Sequence, residues 1–312
     1  MKSYRILFMG TPEFAVPSLE ALHASRHAVT AVVTRPDRPK GRGRKLTPPP
    51  VKVAARRLGY HVEQPGCIHQ PACLSFIKSQ APDLIVVIAF GRLLKPHHFA
   101  IPRHSVLNVH ASLLPRHRGP APIQWAIING DRETGVTTMV MAEELDAGDI
   151  LLQARTPIAP DDTAATLHDR LAAMGAPLLV ETLDRLAEGR LQPVPQDPSL
   201  ATRAPLLKKK DGRIPWDQPT TAIDCFVRGM TPWPGAFTFL GDLRLKIFKV
   251  RPALLSEPAP PGTVLPGFAD EIRVATGDGA LAILEIQGAS GRRMPIREFL
   301  KGNAIPPGSK LA

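Results

Sequence analysis

The sequence contains little cysteine, few aromatic side chains and no long apolar run. Its three cysteines are odd in number and never spaced as C-x-x-C, which argues against a disulfide framework and against a zinc knuckle. The longest apolar run, LIVVIAF at 84–90, is far shorter than the roughly 20 residues that a membrane-spanning helix requires. No apolar secretory signal follows the first residues. We therefore expect a cytoplasmic protein with no membrane partner.

Acidic residues are also in short supply. The chain of 312 residues has 39 Lys and Arg against 28 Asp and Glu, a formal net charge of +11. An enzyme of small neutral metabolites does not need this excess, so the charge predicts a polyanionic partner, nucleic acid rather than membrane. Because only 5% of the residues are aromatic, contact with RNA is expected to be electrostatic and not by base stacking.

Hydrophobic patterning divides the chain into two parts. A strand at 4–9, a helix after Gly10 and a β-branched run at 28–34 predict a parallel sheet wound with helices, continued by strands at 84–90 and 105–110. Beyond 206, short alternating runs separated by turn residues are typical of a small barrel or sandwich. We therefore predict an α/β catalytic domain over 1–190, a proline-rich linker over 191–206 and a smaller β domain over 207–312.

The stretch LNVHASLLPRHRG, 107–119, is the strongest candidate for chemistry. Asn108 and His110 lie on one face of the predicted strand, at its carboxyl end, where doubly wound sheets bind ligands. Asp146, in the glycine-flanked loop ELDAGD, can reach the same edge. An amide donor, a base and a carboxylate suit acyl transfer without a covalent intermediate, and no Ser or Cys elbow accompanies them. Their spacing alone also fits a purely structural role, in which His110 is hydrogen-bonded at the end of a strand and Asp146 forms part of a turn.

Two basic segments and a set of histidines complete the candidates. RPDRPKGRGRK at 35–45 carries six cations and one acid, which suits sugar-phosphate contacts but also fits a solvated loop. LLKKKDGRIPW at 206–216 is a second electrostatic candidate. GTPEFA has one glycine where a dinucleotide fingerprint needs three, so no nicotinamide cofactor is expected. No metal is expected either, because His97, His98 and their neighbours do not follow a helical ligand spacing.

An ordered series of motifs along essentially the whole chain resembles the folate-dependent formyltransferase family. The Asn, His and Asp set and the S-L-L-P turn are shared across that family, whereas the basic loop and the second domain resemble its tRNA-specific branch. Phe90 stands where the family often has Tyr, and His117 where it often has a larger aromatic side chain. The motifs are GTPEFA, RPDRPKGRGRKLTPPPVK, LNVHASLLPRHRGPAPIQ, ETGVTTM, LDAGDIL, LKKKDGRIPW, PWPGAFT and VATGDGAL.

The resemblance implies transfer of a formyl group from 10-formyltetrahydrofolate to the free amino group of methionyl initiator tRNA, in support of translation initiation. It implies a Rossmann-like, mostly parallel N-terminal sheet and an OB-like C-terminal β-barrel, and nothing in it demands more than a monomer. Asn108, His110 and Asp146 match the catalytic set. The folate-binding matches are Ser112, Leu113, Leu114 and Pro115 in the turn, with Ala89, Phe90, Gly91, Leu93 and Leu94 in the pteridine pocket. The tRNA-binding candidates are Arg38, Lys40, Arg42, Arg44, Lys45, Lys208, Lys209 and Lys210.

Three alternatives remain at this point. Another folate-dependent formyltransferase, such as one acting on a sugar nucleotide, and a formyltetrahydrofolate hydrolase would keep Asn108, His110 and Asp146 without needing the basic loop. A nonenzymatic RNA-binding protein would explain the charge but not these three residues. We interpret 116–119 as support for the site, with tRNA contact as an alternative role.

Overall fold

A computed structural model describes residues 3–40, 43, 45–254, 257–268, 270–289 and 291–312. The chain forms two compact units. The N-terminal unit comprises Met1–Gly119, Thr134–Thr156 and His168–Ala204, and the C-terminal unit comprises Pro120–Glu133, Pro157–Leu167 and Pro205–Ala312. Of the candidate tRNA-binding residues, Arg42 and Arg44 lie outside the described residues, and of Lys40 only the backbone is described.

The strands predicted at 4–9, 28–34, 84–90 and 105–110 all form, with further strands and helices between and after them. The strands are β1 Arg5–Gly10, β2 Ala28–Val33, β3 Arg38–Lys40, β4 Lys45–Thr47, β5 Val62–Glu63, β6 Leu84–Ile88, β7 Ser105–His110, β8 Glu133–Val140, β9 Ile150–Pro157, β10 Ala236–Leu240, β11 Leu243–Ala253, β12 Ile272–Ala275, β13 Ala280–Gln287 and β14 Met294–Pro295. The helices are α1 Val16–Ala24, α2 Pro50–Arg57, α3 Pro71–Ser79, α4 Pro96–Phe99, α5 Pro122–Ile128, α6 Ala164–Ala187, α7 Thr220–Met230 and α8 Ile296–Leu300.

The N-terminal unit is built on a seven-stranded sheet in the order β5-β2-β1-β6-β7-β8-β9. The pairs from β5 to β7 are parallel, and β8 is antiparallel to β7. The predicted mostly parallel, Rossmann-like sheet is therefore confirmed. All five residues of β6 are buried, which explains why its sequence is a continuous apolar run and not an alternating one. Since β6 and β7 are parallel neighbours, the segments that follow them, 89–94 and 111–119, leave the sheet at the same edge.

The basic segment 35–45 is more ordered than the predicted loop. β3 and β4 pair antiparallel, with Lys40 opposite Lys45, and form a two-stranded hairpin. The prediction of a loop throughout is therefore wrong at 38–40 and at Lys45. Short strands of three residues carry too little periodicity for sequence patterning to reveal them.

The C-terminal unit carries an antiparallel sheet in the order β10-β11-β13-β12, with β14 beside β13. Its core contains Ile223 and Val227 of α7 together with Leu245, Ile247 and Leu281 of the sheet. The predicted small β domain is confirmed at this level. Thr263 and Val264, between β11 and β12, form isolated bridges and belong to none of these strands. Across the described residues we find no helix whose length and apolarity would let it span a bilayer.

Candidate active site

Three side chains that the sequence singled out meet in the N-terminal unit. Asn108 and His110 occupy the carboxyl end of β7, and Asp146 lies in the loop between β8 and β9. The Nδ2 of Asn108 is 3.5 Å from Oδ1 of Asp146, and the Nδ1 of His110 is 3.7 Å from Oδ2 of the same carboxylate. The side chains of His110 and Asp146 are 7% and 9% exposed, so the carboxylate of Asp146 is only weakly screened by solvent.

The loop that carries Asp146 is held in an unusual backbone conformation. Asp146 has φ of +54°, in the left-handed region, and Gln196 donates to the carbonyl oxygens of Asp146 at 2.9 Å and Gly148 at 2.7 Å. A Cβ on Gly148 would lie 1.8 Å from the carbonyl oxygen of Val140. Only glycine permits this approach, which explains the glycine in the LDAGD motif.

The imidazole of His110 is oriented from both sides. Its Nε2 donates to the carbonyl oxygen of His117 at 3.0 Å, which places the proton of the neutral ring on Nε2 and directs Nδ1 toward Asp146. His117 itself has φ of +58°, a conformation that turns its carbonyl toward the ring. The carbonyl group of His117 therefore fixes the tautomer of His110.

The turn at 111–115 is fixed by hydrogen bonds from β8 and β9. Thr137 Oγ1 donates to the carbonyl oxygen of Ser112 at 2.6 Å and accepts the N–H of Leu114 at 3.2 Å, and Gln153 donates to the carbonyl of Leu114 at 2.9 Å. Ser112 Oγ donates to the carbonyl of Arg116 at 2.7 Å. Ser112 and Leu114 are buried, so Leu113 and Pro115 present the accessible surface of the turn.

The neighbouring segment 89–94 alternates between core and surface. Phe90 and Leu94 belong to the core of the N-terminal unit, whereas Leu93 is 64% exposed. Ala89 and Gly91 are exposed and adopt positive φ of +46° and +77°. The surface that this segment offers to a ligand therefore comes from Ala89, Gly91 and Leu93, with Phe90 and Leu94 anchoring them.

Residues 116–119 and Gln196 close around the same loop. The buried guanidinium of Arg118 donates to Oε1 of Gln196 through Nε at 3.0 Å and Nη2 at 2.8 Å. Because Arg118 is buried, it has no exposed surface with which to contact tRNA, the alternative role considered above for residues 116–119. Gln196 was missed by sequence analysis because it stands alone in a proline-rich stretch predicted as a linker. No local pattern marks it, and only its contacts reveal its role.

The basic candidates within the described residues are exposed. Arg38 and Lys45 lie on the hairpin, and Lys208, Lys209 and Lys210 precede and begin a short 3-10 helix at Lys209–Gly212. A cavity of about 900 Å³ beside the hairpin is lined by Arg35, Arg38 and Arg57 among other residues. Burial, followed by the charges of Arg38 and Arg92, lowers the pKa of Arg35.

Comparison with known proteins assigns both parts of the chain. The formyl transferase family matches residues 4–183, and the formyl transferase C-terminal domain family matches residues 206–304. A methionyl-tRNA formyltransferase of Citrifermentans bemidjiense is 51% identical over 311 residues, covering 100% of this chain and 97% of the relative. The methionyl-tRNA formyltransferase of Geobacter sulfurreducens is 48% identical, covering 100% and 98%.

Solved structures with lower identity share the fold. The sugar 3N-formyl transferase WlaRD, determined with dTDP and 5-N-formyl-THF, has a TM-score of 0.68 at 17% identity and covers 94% of this chain and 100% of its own. HypX from Aquifex aeolicus in complex with tetrahydrofolic acid has a TM-score of 0.62 at 22% identity, over 96% of this chain and 48% of its own. At these identities the likeness concerns the fold alone.

Proposed function

The chain belongs to the methionyl-tRNA formyltransferase family, and from that premise we propose that Asn108, His110 and Asp146 carry out its reaction. This reaction transfers the formyl group of 10-formyltetrahydrofolate to the free amino group of methionyl initiator tRNA. The observation that supports the assignment is the position of the Asp146 carboxylate, within 3.5 Å of the Asn108 amide and 3.7 Å of the His110 ring.

Asn108 stabilises the charge that develops during the transfer. The amine attacks the formyl carbon, a new N–C bond forms, and negative charge grows on the formyl oxygen before the bond to the folate N10 breaks. The Asn108 Nδ2 carries two N–H groups, of which one points toward Asp146 Oδ1. The second donates to the oxyanion. A preorganised donor of this kind accelerates a reaction by about 10²-fold to 10³-fold.

His110 and Asp146 manage the protons. The attacking amine must lose a proton and the departing N10 must gain one. Asp146 accepts the proton of the amine, directly or through a water. When His110 is protonated, Nε2 still donates to the His117 carbonyl, and the proton on Nδ1, which the Asp146 carboxylate orients, either moves to the departing N10 or forms a charge-assisted hydrogen bond to the developing oxyanion. Asp146 then returns the amine proton to His110, which restores both groups. No nucleophilic side chain is required, because the amine itself is the nucleophile.

The folate binds at the sheet edge next to these residues. Leu113 and Pro115 of the turn and Ala89, Gly91 and Leu93 of the neighbouring segment form an accessible rim at the carboxyl ends of β6 and β7. Ser112, Leu114, Phe90 and Leu94 hold that rim in shape from inside. An apolar rim beside polar groups suits a flat pteridine ring, whose reacting end then meets Asn108 and His110.

The tRNA contacts are electrostatic. Arg38 and Lys45 on the hairpin, with Lys40, Arg42 and Arg44 of the same segment, bind acceptor-stem phosphates, and Lys208, Lys209 and Lys210 bind the backbone elsewhere. Arg38, Lys45, Lys208, Lys209 and Lys210 are all exposed, which supports this role. Each such contact makes binding weaker as salt rises.

The remaining proposals concern the domain boundaries, the oligomeric state and the cellular compartment. We assign residues 1–190 to catalysis, 191–206 to the connection and 207–312 to tRNA binding, with the antiparallel sheet of the last segment belonging to an OB-like barrel. A monomer in the cytoplasm suits an enzyme of translation initiation, because the acceptor itself is a component of that compartment's translation machinery.

A single reconstitution tests the assignment. The purified chain is incubated with 10-formyltetrahydrofolate and methionyl initiator tRNA, and the aminoacyl group is released and identified. We expect formylmethionine from the native chain and a loss of about 10²-fold or more in the Asp146→Asn variant. Folate hydrolysis without formylated tRNA would indicate a hydrolase, and formylation of an amino sugar alone a different acceptor. Binding of tRNA without any product would leave a nonenzymatic RNA-binding protein.

A further inference from the structure

Three histidines that the formyl transfer does not use meet on one side of the N-terminal unit. His69 lies in the segment between β5 and α3, and His97 and His98 are consecutive residues of α4. One ring nitrogen from each lies within 4.8 Å of the others. The ring centroids are separated by 4.2 Å for His97 and His98, 5.1 Å for His69 and His98, and 5.7 Å for His69 and His97.

His98 is arranged as a metal-binding histidine usually is. Its ring is buried, and Nε2 donates to the carbonyl oxygen of Ile68 at 3.1 Å. A ligating imidazole characteristically donates its second N–H to a carbonyl, which fixes the tautomer and leaves a lone pair on the other nitrogen. That lone pair, on Nδ1, accepts the N–H of the exposed Lys95 at 3.2 Å. Ligation through Nδ1 therefore requires the cation to displace the N–H of Lys95, the residue that precedes α4.

His69 provides an independent indication of a ligand. Its Nδ1 is buried and has no hydrogen-bond partner among the described residues. Buried polar atoms are nearly always paired with protein, water or an ion, so this imidazole nitrogen beside two other imidazoles is available to a ligand. His97 is exposed and leaves one side of the cluster open to solvent.

The ligand types of the cluster select the class of cation. Three imidazoles and no carboxylate suit a borderline cation and not Mg²⁺ or Ca²⁺, which require oxygen ligands.

We propose that His69, His97 and His98 form a three-histidine site for a Zn²⁺ ion, with solvent as the fourth ligand. Zinc bound by imidazole at about 2.0 to 2.1 Å in a tetrahedron brings nitrogens to about 3.4 Å from one another, so the cluster must contract. The exposed His97 has room to turn toward the other two rings. The ion joins the segment before α3 to α4, which follows 89–94 directly, and so restrains a segment assigned above to the folate site.

The cluster was not foreseen from the sequence. His97 and His98 are adjacent and lack a helical ligand spacing to a third residue. His69 is far from both in the chain, and the fold brings it there.

Zinc binding by the full chain tests the proposal. Protein freed of metal with a chelator is titrated with ZnCl₂ in competition with a chromophoric indicator, and the stoichiometry and affinity are compared with those of His97→Ala and His69→Ala. We expect one equivalent bound by the native chain, and an affinity lower by about tenfold or more in each variant. His104→Ala, which removes another exposed histidine of the same unit, is the matched control and should bind as the native chain does.

Cobalt provides a second readout that does not depend on affinity. Co²⁺ in a four-coordinate site absorbs visible light strongly, and this band should appear with the native chain and disappear in His97→Ala. His97 is exposed, so its replacement leaves the core of the unit intact. Absence of stoichiometric zinc binding by the native chain overturns the proposal. Equal binding by the native chain, His69→Ala and His97→Ala overturns it as well, since the metal would then be held elsewhere.

Discussion

The backbone N–H of Gly119 donates to the Oδ2 of Asp146 at 2.8 Å, across 27 residues of sequence. This bond ties the end of the LNVHASLLPRHRG motif to the loop between β8 and β9. With Oδ2 held by Gly119 and near His110, Oδ1 is left facing the amide of Asn108 at 3.5 Å. The orientation of the carboxylate is therefore set by the backbone of the motif that it serves.

Replacing Asp146 by Asn should nearly abolish turnover. The amide keeps an oxygen for the Gly119 N–H but cannot accept the proton of the attacking amine. We expect kcat to fall by about 10²-fold or more, with the Tm and folate binding close to those of the native chain. Single-turnover formylation measures the first quantity, and thermal unfolding and folate titration the others. Turnover near the native rate would remove Asp146 from the reaction.

Asn108→Ala should lower kcat with little change in the KM for tRNA. The lost N–H acts on charge that develops in the transition state, so the rate falls by about 10²-fold to 10³-fold while binding of the substrate is retained. Asn129→Ala is the control, because Asn129 terminates α5 and lies outside the three-residue set. A rise in KM at unchanged kcat would assign Asn108 to substrate binding instead.

Gly148→Ala should destabilise the protein and disturb the loop of Asp146. The new Cβ would meet the Val140 carbonyl at 1.8 Å, and an overpacked site of this kind costs about 1 to 3 kcal/mol. In a domain of this size that lowers the Tm by about 2 to 10 °C. Gly66→Ala is the control, since a Cβ there has no neighbour within 4 Å. Equal Tm values for the two variants would contradict the close approach.

Acid should destabilise the fold partly through His27. Its side chain is fully buried, and its Nδ1 accepts the N–H of Tyr4 at 3.1 Å. Burial lowers the pKa of His27, although the neighbouring Asp184 acts in the opposite direction. Because the unfolded chain then binds the proton more tightly, stability falls as the pH drops below about 6.5.

The measurement for His27 is the difference in Tm between pH 7.5 and pH 5.5. His27→Gln should have a lower Tm at pH 7.5 and a smaller loss on acidification than the native chain. The exposed His23, replaced by Gln, should leave the pH dependence unchanged. A native pH dependence in His27→Gln would assign the acid sensitivity to other groups.

Salt dependence should reveal the phosphate contacts. Lys210→Ala and Arg42→Ala each remove one proposed contact, so each should weaken tRNA binding and reduce the slope of log K against log salt by about 0.7 to 0.9. Lys78→Ala, on the exposed face of α3, is the control for loss of charge alone. If all three variants keep the native slope, the two basic segments do not bind phosphates.

Much of the fold followed from the sequence because its signals are local. The apolar run at 84–90 and the β-branched run at 28–34 each depend on residues next to one another, so β6 at Leu84–Ile88 and β2 at Ala28–Val33 lie within two residues of their predicted bounds. The same holds for Asn108 and His110, whose shared face follows from the two-residue period of a strand. The hairpin of β3 and β4 was missed because its strands are too short to show a period.

By itself, the sequence determined the family, the parallel sheet and the order of the functional motifs, since each is encoded by residue type and spacing along the chain. Only the tertiary structure decided that Gly119 and Gln196 hold the loop of Asp146, that Arg118 is buried, and that His69 joins His97 and His98. These contacts join residues distant in the chain. Their partners are chosen by how the sheet and its loops pack, which no local pattern records.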